Sequence, residues 1–197
     1  MKKTIIFILF FIIFILSNFS QVNNNSEKTT IEFKKDDNGY VQYFTNDPAN
    51  YAAGVIGTPK ENTNGNGFEM EIIKDSGSEN VGCGMIFGAQ DANNWYAVLI
   101  DPNGNFEIVK SENLKLISLA KGNSKQIIKG LSKTNIIKVI QKRKTYEIYL
   151  NNNKNPLFIL KNIDIKGNGI GYFVMVGDSK FESFPQKPLD IRFKIKE

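Results

Sequence analysis

The clearest alternation of apolar and polar positions lies in KGLSKTNIIKVIQKRKTYEIYLNNN, residues 129–153. It reads as a polar lead-in, a strand over 135–141, a basic turn over 142–144, a second strand over 145–150 and an Asn-rich turn. Two strands joined by so short a turn pair as an antiparallel hairpin. Tyr146, Ile148 and Leu150 alternate with Glu147 and Tyr149, which gives the second strand one apolar face and one that meets water.

The same reading extends along the chain. IEF at 31–33 and the aromatic stretch 40–44 flank a DDNG turn, AAGVIG at 52–57 is a third strand, and 59–67 is a loop. Phe68, Met70 and Ile72 then alternate with Glu69, Glu71 and Ile73. Residues 82–90 carry small or apolar side chains on both faces, which places that strand centrally in a sheet, with glycines that let a neighbouring backbone or large side chain approach. DANN at 91–94 is a turn, 95–100 a strand, DPNG at 101–104 a hairpin turn, and 105–110 the returning strand. Strands over 114–120, 156–160 and 169–177 follow, and a closing strand sets Ile191, Phe193 and Ile195 against Arg192, Lys194 and Lys196. The stretch 121–134 is a looser connection with one helical turn at most. Short strands separated by Gly, Asn, Asp and Pro turns, with no sustained helical period after the N-terminus, predict an all-β sandwich or barrel, and the one-faced hairpin over 129–153 is half of a two-sheet antiparallel sandwich.

The first residues follow another rule. Lys2 and Lys3 precede an apolar run over 5–16 and then Ser17, Asn18, Phe19 and Ser20. A basic start, an apolar stretch shorter than the ~20 residues that span a bilayer, and small residues after it make a signal peptide over 1–20. A polar linker over 21–28 and one β-sandwich domain over 29–197 complete the expected organisation, with a secreted or periplasmic mature chain that has no membrane span.

Composition narrows the chemistry. The chain of 197 residues contains no histidine, which excludes Ser-His and Cys-His nucleophile pairs and histidine-based zinc sites. Cys83 is the single cysteine, so no intramolecular disulfide forms, and its apolar neighbours mark it as a small buried hydrophobe. The formal charge is +5, and loss of Lys2 and Lys3 with the signal peptide leaves +3. So mild a balance, without lysines interleaved with aromatics on one face, gives no nucleic-acid partner. Carboxylate chemistry, an oxygen-ligand metal such as calcium, or binding without chemistry remain.

Four stretches in order carry a family resemblance: GCGMIFGAQDANNWYAVLIDPNGNFEIVK, the 129–153 hairpin, GIGYFVMVG and the closing DIRFKIK. This order resembles the concanavalin A-like lectin/glucanase superfamily, in particular its laminin-G-like jelly-roll modules from secreted bacterial proteins. The resemblance implies a concanavalin A-like jelly roll and a glycan or cell-surface ligand. Sugar-binding members stack an aromatic on the sugar and surround it with polar side chains, which nominates Trp95 and Tyr96 with Asp91, Asn93 and Asn94, and Tyr40, Tyr43, Tyr51 and Tyr172 as further aromatics. An ordinary Asx turn at DANN and a core role for Trp95 stand beside that reading. Some relatives hold calcium at the rim, which nominates Asp91, Asn93 and Asp178 as metal ligands. The glucanases' strand with three spaced carboxylates has no counterpart. Glu69 and Glu71 share a strand face at a spacing of ~7 Å, compatible with acid and nucleophile or base roles, or with a pair on a solvated face. A non-catalytic binding module, a glycoside-processing enzyme using Glu69 and Glu71, and a structural protein that pairs through an exposed edge are the three functional readings.

Overall fold

The computed structural model describes residues 31–45, 52–57, 67–113, 115–163, 167–176 and 188–196. The expected signal peptide and linker, with Tyr51 and Asp178, lie outside the described residues. Among those described there is no helix, and thirteen strands form two antiparallel sheets.

The first sheet, sheet A, comprises β1 (Ile31–Lys35), β2 (Val41–Thr45), β13 (Leu189–Lys196), β4 (Phe68–Ser76), β9 (Thr134–Lys142), β10 (Thr145–Leu150) and β11 (Phe158–Lys161), in that spatial order. Sheet B runs β3 (Ala52–Gly57), β12 (Gly169–Val176), β5 (Val81–Ala89), β6 (Trp95–Ile100), β7 (Asn105–Glu112) and β8 (Lys115–Asn123). The two-sheet antiparallel sandwich is therefore as the alternation predicts. The last strands differ in detail: β8 runs to Asn123 rather than 120, because an exposed edge strand carries no alternation to mark its end.

One residue in two from each sheet points into the space between them. Tyr43, Met70, Ile72, Ile137, Val139, Tyr146, Ile148, Leu150, Ile191 and Phe193 from sheet A meet Cys83, Met85, Phe87, Val98, Ile100, Ile108 and Val174 from sheet B. Tyr146 reaches across to Phe87, with ring centroids 4.9 Å apart and edge to face. This crossing explains one glycine: a Cβ on Gly88, whose φ is +61°, would lie 2.6 Å from the Tyr146 hydroxyl. At Gly84 the neighbour is backbone, with Val98 O only 1.8 Å from where a Cβ would stand. The two roles expected of glycines in this strand, admitting a side chain and admitting a backbone, both occur.

The connection from β8 to β9 is held by two asparagines. Asn135 accepts from Ile128 N at 2.8 Å and donates to Ile128 O at 2.9 Å, while Asn151 donates to Asn135 Oδ1 and to Gln126 O, both at 2.8 Å. Asn151 also accepts from Ile136 N at 2.7 Å. Asn151 and Asn152 adopt φ of 50° and 58°, a region asparagine tolerates better than most residues. The clamp seats Ile127 in the core, so the loose connection is closed without a helix.

Candidate functional site

The turn between β5 and β6 satisfies its own polar groups. Asp91 accepts from Asn93 N at 2.7 Å and from Asn94 Nδ2 at 2.9 and 3.0 Å. Desolvation pulls the Asp91 carboxyl up, but the donors from the Asn94 side chain and the Asn93 and Asn94 amides outweigh it and hold the group below the usual carboxylate range. Asn93 O accepts the Ser111 hydroxyl, and Asn94 Oδ1 accepts Asn113 N, so the turn is tied to the end of β7. Calcium here would have to displace the donors that Asp91 already has. Among the described residues no cluster of three or more His, Cys, Asp or Glu is arranged to hold a metal ion.

Trp95 and Tyr96 part company at the start of β6, as strand alternation requires. Tyr96 turns inward and stacks on Phe87 at 5.9 Å. Trp95 lies on the outer face of sheet B, 7 % exposed, with its ring edge to face against Phe173 at 4.9 Å and its Nε1 donating to Ala92 O at 3.0 Å. The structure brings Asp91, Asn93 and Asn94 together and gives neither ring an open face beside them. Of the further tyrosines, Tyr43 is buried in the core and Tyr172 stacks on Phe193 at 5.4 Å.

Glu69 and Glu71 lie on the outer face of sheet A, where Lys196 of β13 stands between them. Its Nζ is 3.0 Å from Glu69 and 2.9 Å from Glu71, and Glu71 also accepts the Tyr40 hydroxyl at 2.8 Å. The hydrogen bond from Lys196, followed by that from Tyr40, holds the Glu71 carboxyl below its ordinary value. A carboxylate so held is a poor proton donor near neutral pH. Other charges on this face are paired as well. Arg192 grips Asp75 through two nitrogens at 2.6 and 3.0 Å, Gln42 donates to Asp190, and Lys142 and Tyr149 both reach Glu147. The Tyr40 ring lies against the charges of Arg192 and Lys194 at 5.6 and 5.1 Å.

The outer face of sheet B is built otherwise. Ile86, Ala89, Trp95, Ala97, Leu99, Val109 and Phe173 form a second buried apolar cluster, with Met175 against it. At one end of this face is a groove of about 320 Å³. Strand register assembles its floor: Met175 is opposite Gly82, Leu99 opposite Glu107, and Glu107 opposite Lys121. Asn80, Asp101 and Asn105 form the rim. The rim is stitched together, since Asp101 accepts from Asn103 N and Asn105 N, each at 2.9 Å, and from Asn105 Nδ2 at 2.8 Å. Asn123 Nδ2 donates to Asn105 Oδ1 at 3.0 Å, and Asn103 Nδ2 reaches Asn80 Oδ1 at 3.2 Å. Glu107 is different: among the described residues its carboxylate has no hydrogen bond and no ion pair. Neither Glu69 nor Glu71 lines this groove.

The groove is not visible along the sequence because its strand residues come from five strands, between one and three from each. Gly82 between apolar neighbours and Glu107 on a strand opposite Leu99 are its local traces, and only the register joins them.

The sequence matches no protein-family model and no curated protein. Solved structures do match. The carbohydrate binding module CBM66 from Bacillus subtilis superposes with a TM-score of 0.53 at 15 % identity, covering 88 % of this chain and 96 % of that one. A functionally unknown protein from Saccharomyces cerevisiae gives 0.54 at 13 % identity, over 87 % and 91 % of the two chains. A glycoside hydrolase family 16 endo-glucanase from Bacteroides ovatus gives 0.51 at 8 % identity, over 84 % and 85 %. At these identities the likeness is one of fold, and the fold is the concanavalin A-like jelly-roll sandwich.

Proposed function

We propose that this chain is a secreted, non-catalytic carbohydrate-binding module whose ligand lies in the groove on the outer face of sheet B. The observation that carries the reading is the make-up of that groove. The half-buried Met175, packed against the cluster that contains the buried Leu99, gives an apolar floor for the C–H face of a sugar ring. Glu107 offers acceptors and Lys121 donors to hydroxyl groups, each of which both donates and accepts. A carbohydrate-binding module with the same fold supports the reading. Export through the N-terminal signal peptide belongs to the same proposal.

The glycoside-hydrolase reading is favoured by the endo-glucanase likeness and by two carboxylates on one strand face. Against it, the lysine bridge and the Tyr40 hydroxyl hold the Glu71 carboxyl below its ordinary value, which makes it a poor proton donor, and the groove described above is on the other sheet. For strand addition, β8 is an exposed edge with Leu116 and Leu119 outward, but Lys115 and Lys121 on it are the charges that discourage edge pairing.

The test is a glycan array probed with the purified chain, in calcium and in chelator, alongside an assay for released reducing ends. The reading predicts hits that survive Glu71→Gln, disappear with Gly82→Leu, and are accompanied by no release of sugar. Release that Glu71→Gln abolishes would make the chain a hydrolase, and a blank array would move a protein partner to the front.

A further inference from the structure

Resting on the proposal that the groove is a carbohydrate site, we infer that Glu107 makes it selective by charge, admitting neutral or amine-bearing sugars and turning away uronic-acid, sulfated and phosphorylated ones.

The groove is lined by two carboxylates, Asp101 and Glu107, and one ammonium, Lys121. Asp101 spends its oxygens on three donors of its own turn. Glu107 has no such donors and stands mid-row, between Leu99 and Lys121, where a ring on the apolar floor meets it directly. A carboxylate is an acceptor only, so it welcomes the hydroxyl or ammonium of a ligand and leaves a ligand carboxylate or sulfate without a donor. Placing like charges together in a partly dehydrated groove costs binding energy that Lys121, an exposed side chain, offsets only in part.

Gly82 supplies the control. A Cβ there meets Leu99 Cβ at 3.4 Å and Met175 O at 3.5 Å, ordinary contacts, so a leucine at this position fills the groove without forcing the strands apart.

The experiment is affinity electrophoresis of the wild-type chain, Glu107→Gln and Gly82→Leu through gels containing neutral polymers (β-glucan, fructan, arabinoxylan), chitosan, or anionic ones (polygalacturonate, alginate). Far-UV circular dichroism confirms the fold of each variant. The wild type is expected to be retarded by at least one neutral polymer or by chitosan and by none of the uronates. Glu107→Gln is expected to shift the neutral-to-anionic affinity ratio roughly tenfold toward the uronates, equivalent to about 1.4 kcal/mol. An unchanged ratio in Glu107→Gln, or a wild type that prefers uronates, overturns the charge inference while leaving the groove in place. Binding that survives a folded Gly82→Leu, or no retardation on any gel, removes the groove reading and the inference with it.

Discussion

The two outward faces of the sandwich are made by the same alternation and end in opposite conditions. On sheet A it yields a solvated face whose charges are paired: Glu69 and Glu71 with Lys196, Asp75 with Arg192, Glu147 with Lys142. On sheet B the outward positions Ile86, Ala97, Leu99, Val109 and Phe173 are buried, and the groove beside Glu107 lies at one end of the same face. A face whose charges already satisfy each other has little binding capacity to spare, because a ligand must first break what is there. An apolar floor with one uncommitted carboxylate loses little when a ligand arrives.

The sharpest way to break this contrast is to truncate an outward side chain of sheet B. Phe173, 0 % exposed and packed on Trp95, behaves as core although it points away from sheet A. Phe173→Ala is expected to cost about 3–5 kcal/mol in urea unfolding. A loss near zero would mean that the outer face of sheet B is not packed as described.

A pair of lysines gives the next largest effect. Lys74, on the inward side of β4 and 4 % exposed, donates to Ser78 O and, at 2.8 Å, to Val81 O, with no carboxylate bonded to it among the described residues. Burial draws its ammonium below lysine's ordinary value, with partial relief from Cys83, Asp101 and Glu79. Lys74→Met leaves both carbonyls without this donor and is expected to cost about 1–3 kcal/mol at neutral pH. Between the folded and unfolded pKa values the unfolded chain binds the additional proton, so the contribution of Lys74 to stability rises as pH climbs toward 10.5, lysine's reference value, and falls on the way down. Chemical denaturation from neutral pH upward, wild type against Lys74→Met, reads that slope directly, and a slope of opposite sign rejects the assignment.

Lys196 is the exposed counterpart. Lys196→Met removes the bridge between Glu69 and Glu71 at a surface where ion pairs contribute little, and is expected to change stability by under about 1 kcal/mol. Because Glu71 is held low by Lys196 and then by Tyr40, its contribution is present above its ordinary value of 4.5 and fades as pH falls through the folded-state value. The variant should lose part of that acid limb, and an acid limb identical to wild type would show that the bridge does not hold the carboxylate.

The smallest effect is expected at Cys83. Burial pushes its thiol up to about 11, so a maleimide should label it only in denaturant. Labelling at the native rate of an exposed thiol would place the residue outside the core.

Much of this architecture is legible along the chain, for a physical reason. Sandwich strands declare themselves through a period of two, and Tyr146, Ile148 and Leu150 are buried where the alternation puts them. Asn135 and Asn151 stand out in sequence as polar residues bounding a strand pair, and they are the two halves of the clamp on the β8–β9 connection. The candidate site was harder to read. DANN followed by Trp95 and Tyr96 has the residue types of a sugar site, but the same types make an Asx turn and two packed aromatics, and local sequence does not separate the cases. Glu69 and Glu71 do share a face as their spacing requires, while the lysine that neutralises them comes from the last strand, more than a hundred residues away. The groove depends on five strands in register, and register across a sheet is what a single pass along the chain lacks.

The central claim is that carbohydrate binds on the outer face of sheet B rather than of sheet A. Its most direct test is backbone amide chemical-shift mapping during titration with an oligosaccharide taken from the array. The account predicts shifts concentrated at Gly82, Leu99, Glu107, Lys121 and Met175. Shifts concentrated at Glu69, Glu71 and Lys196, or at Asp91, Asn93 and Asn94, would contradict it.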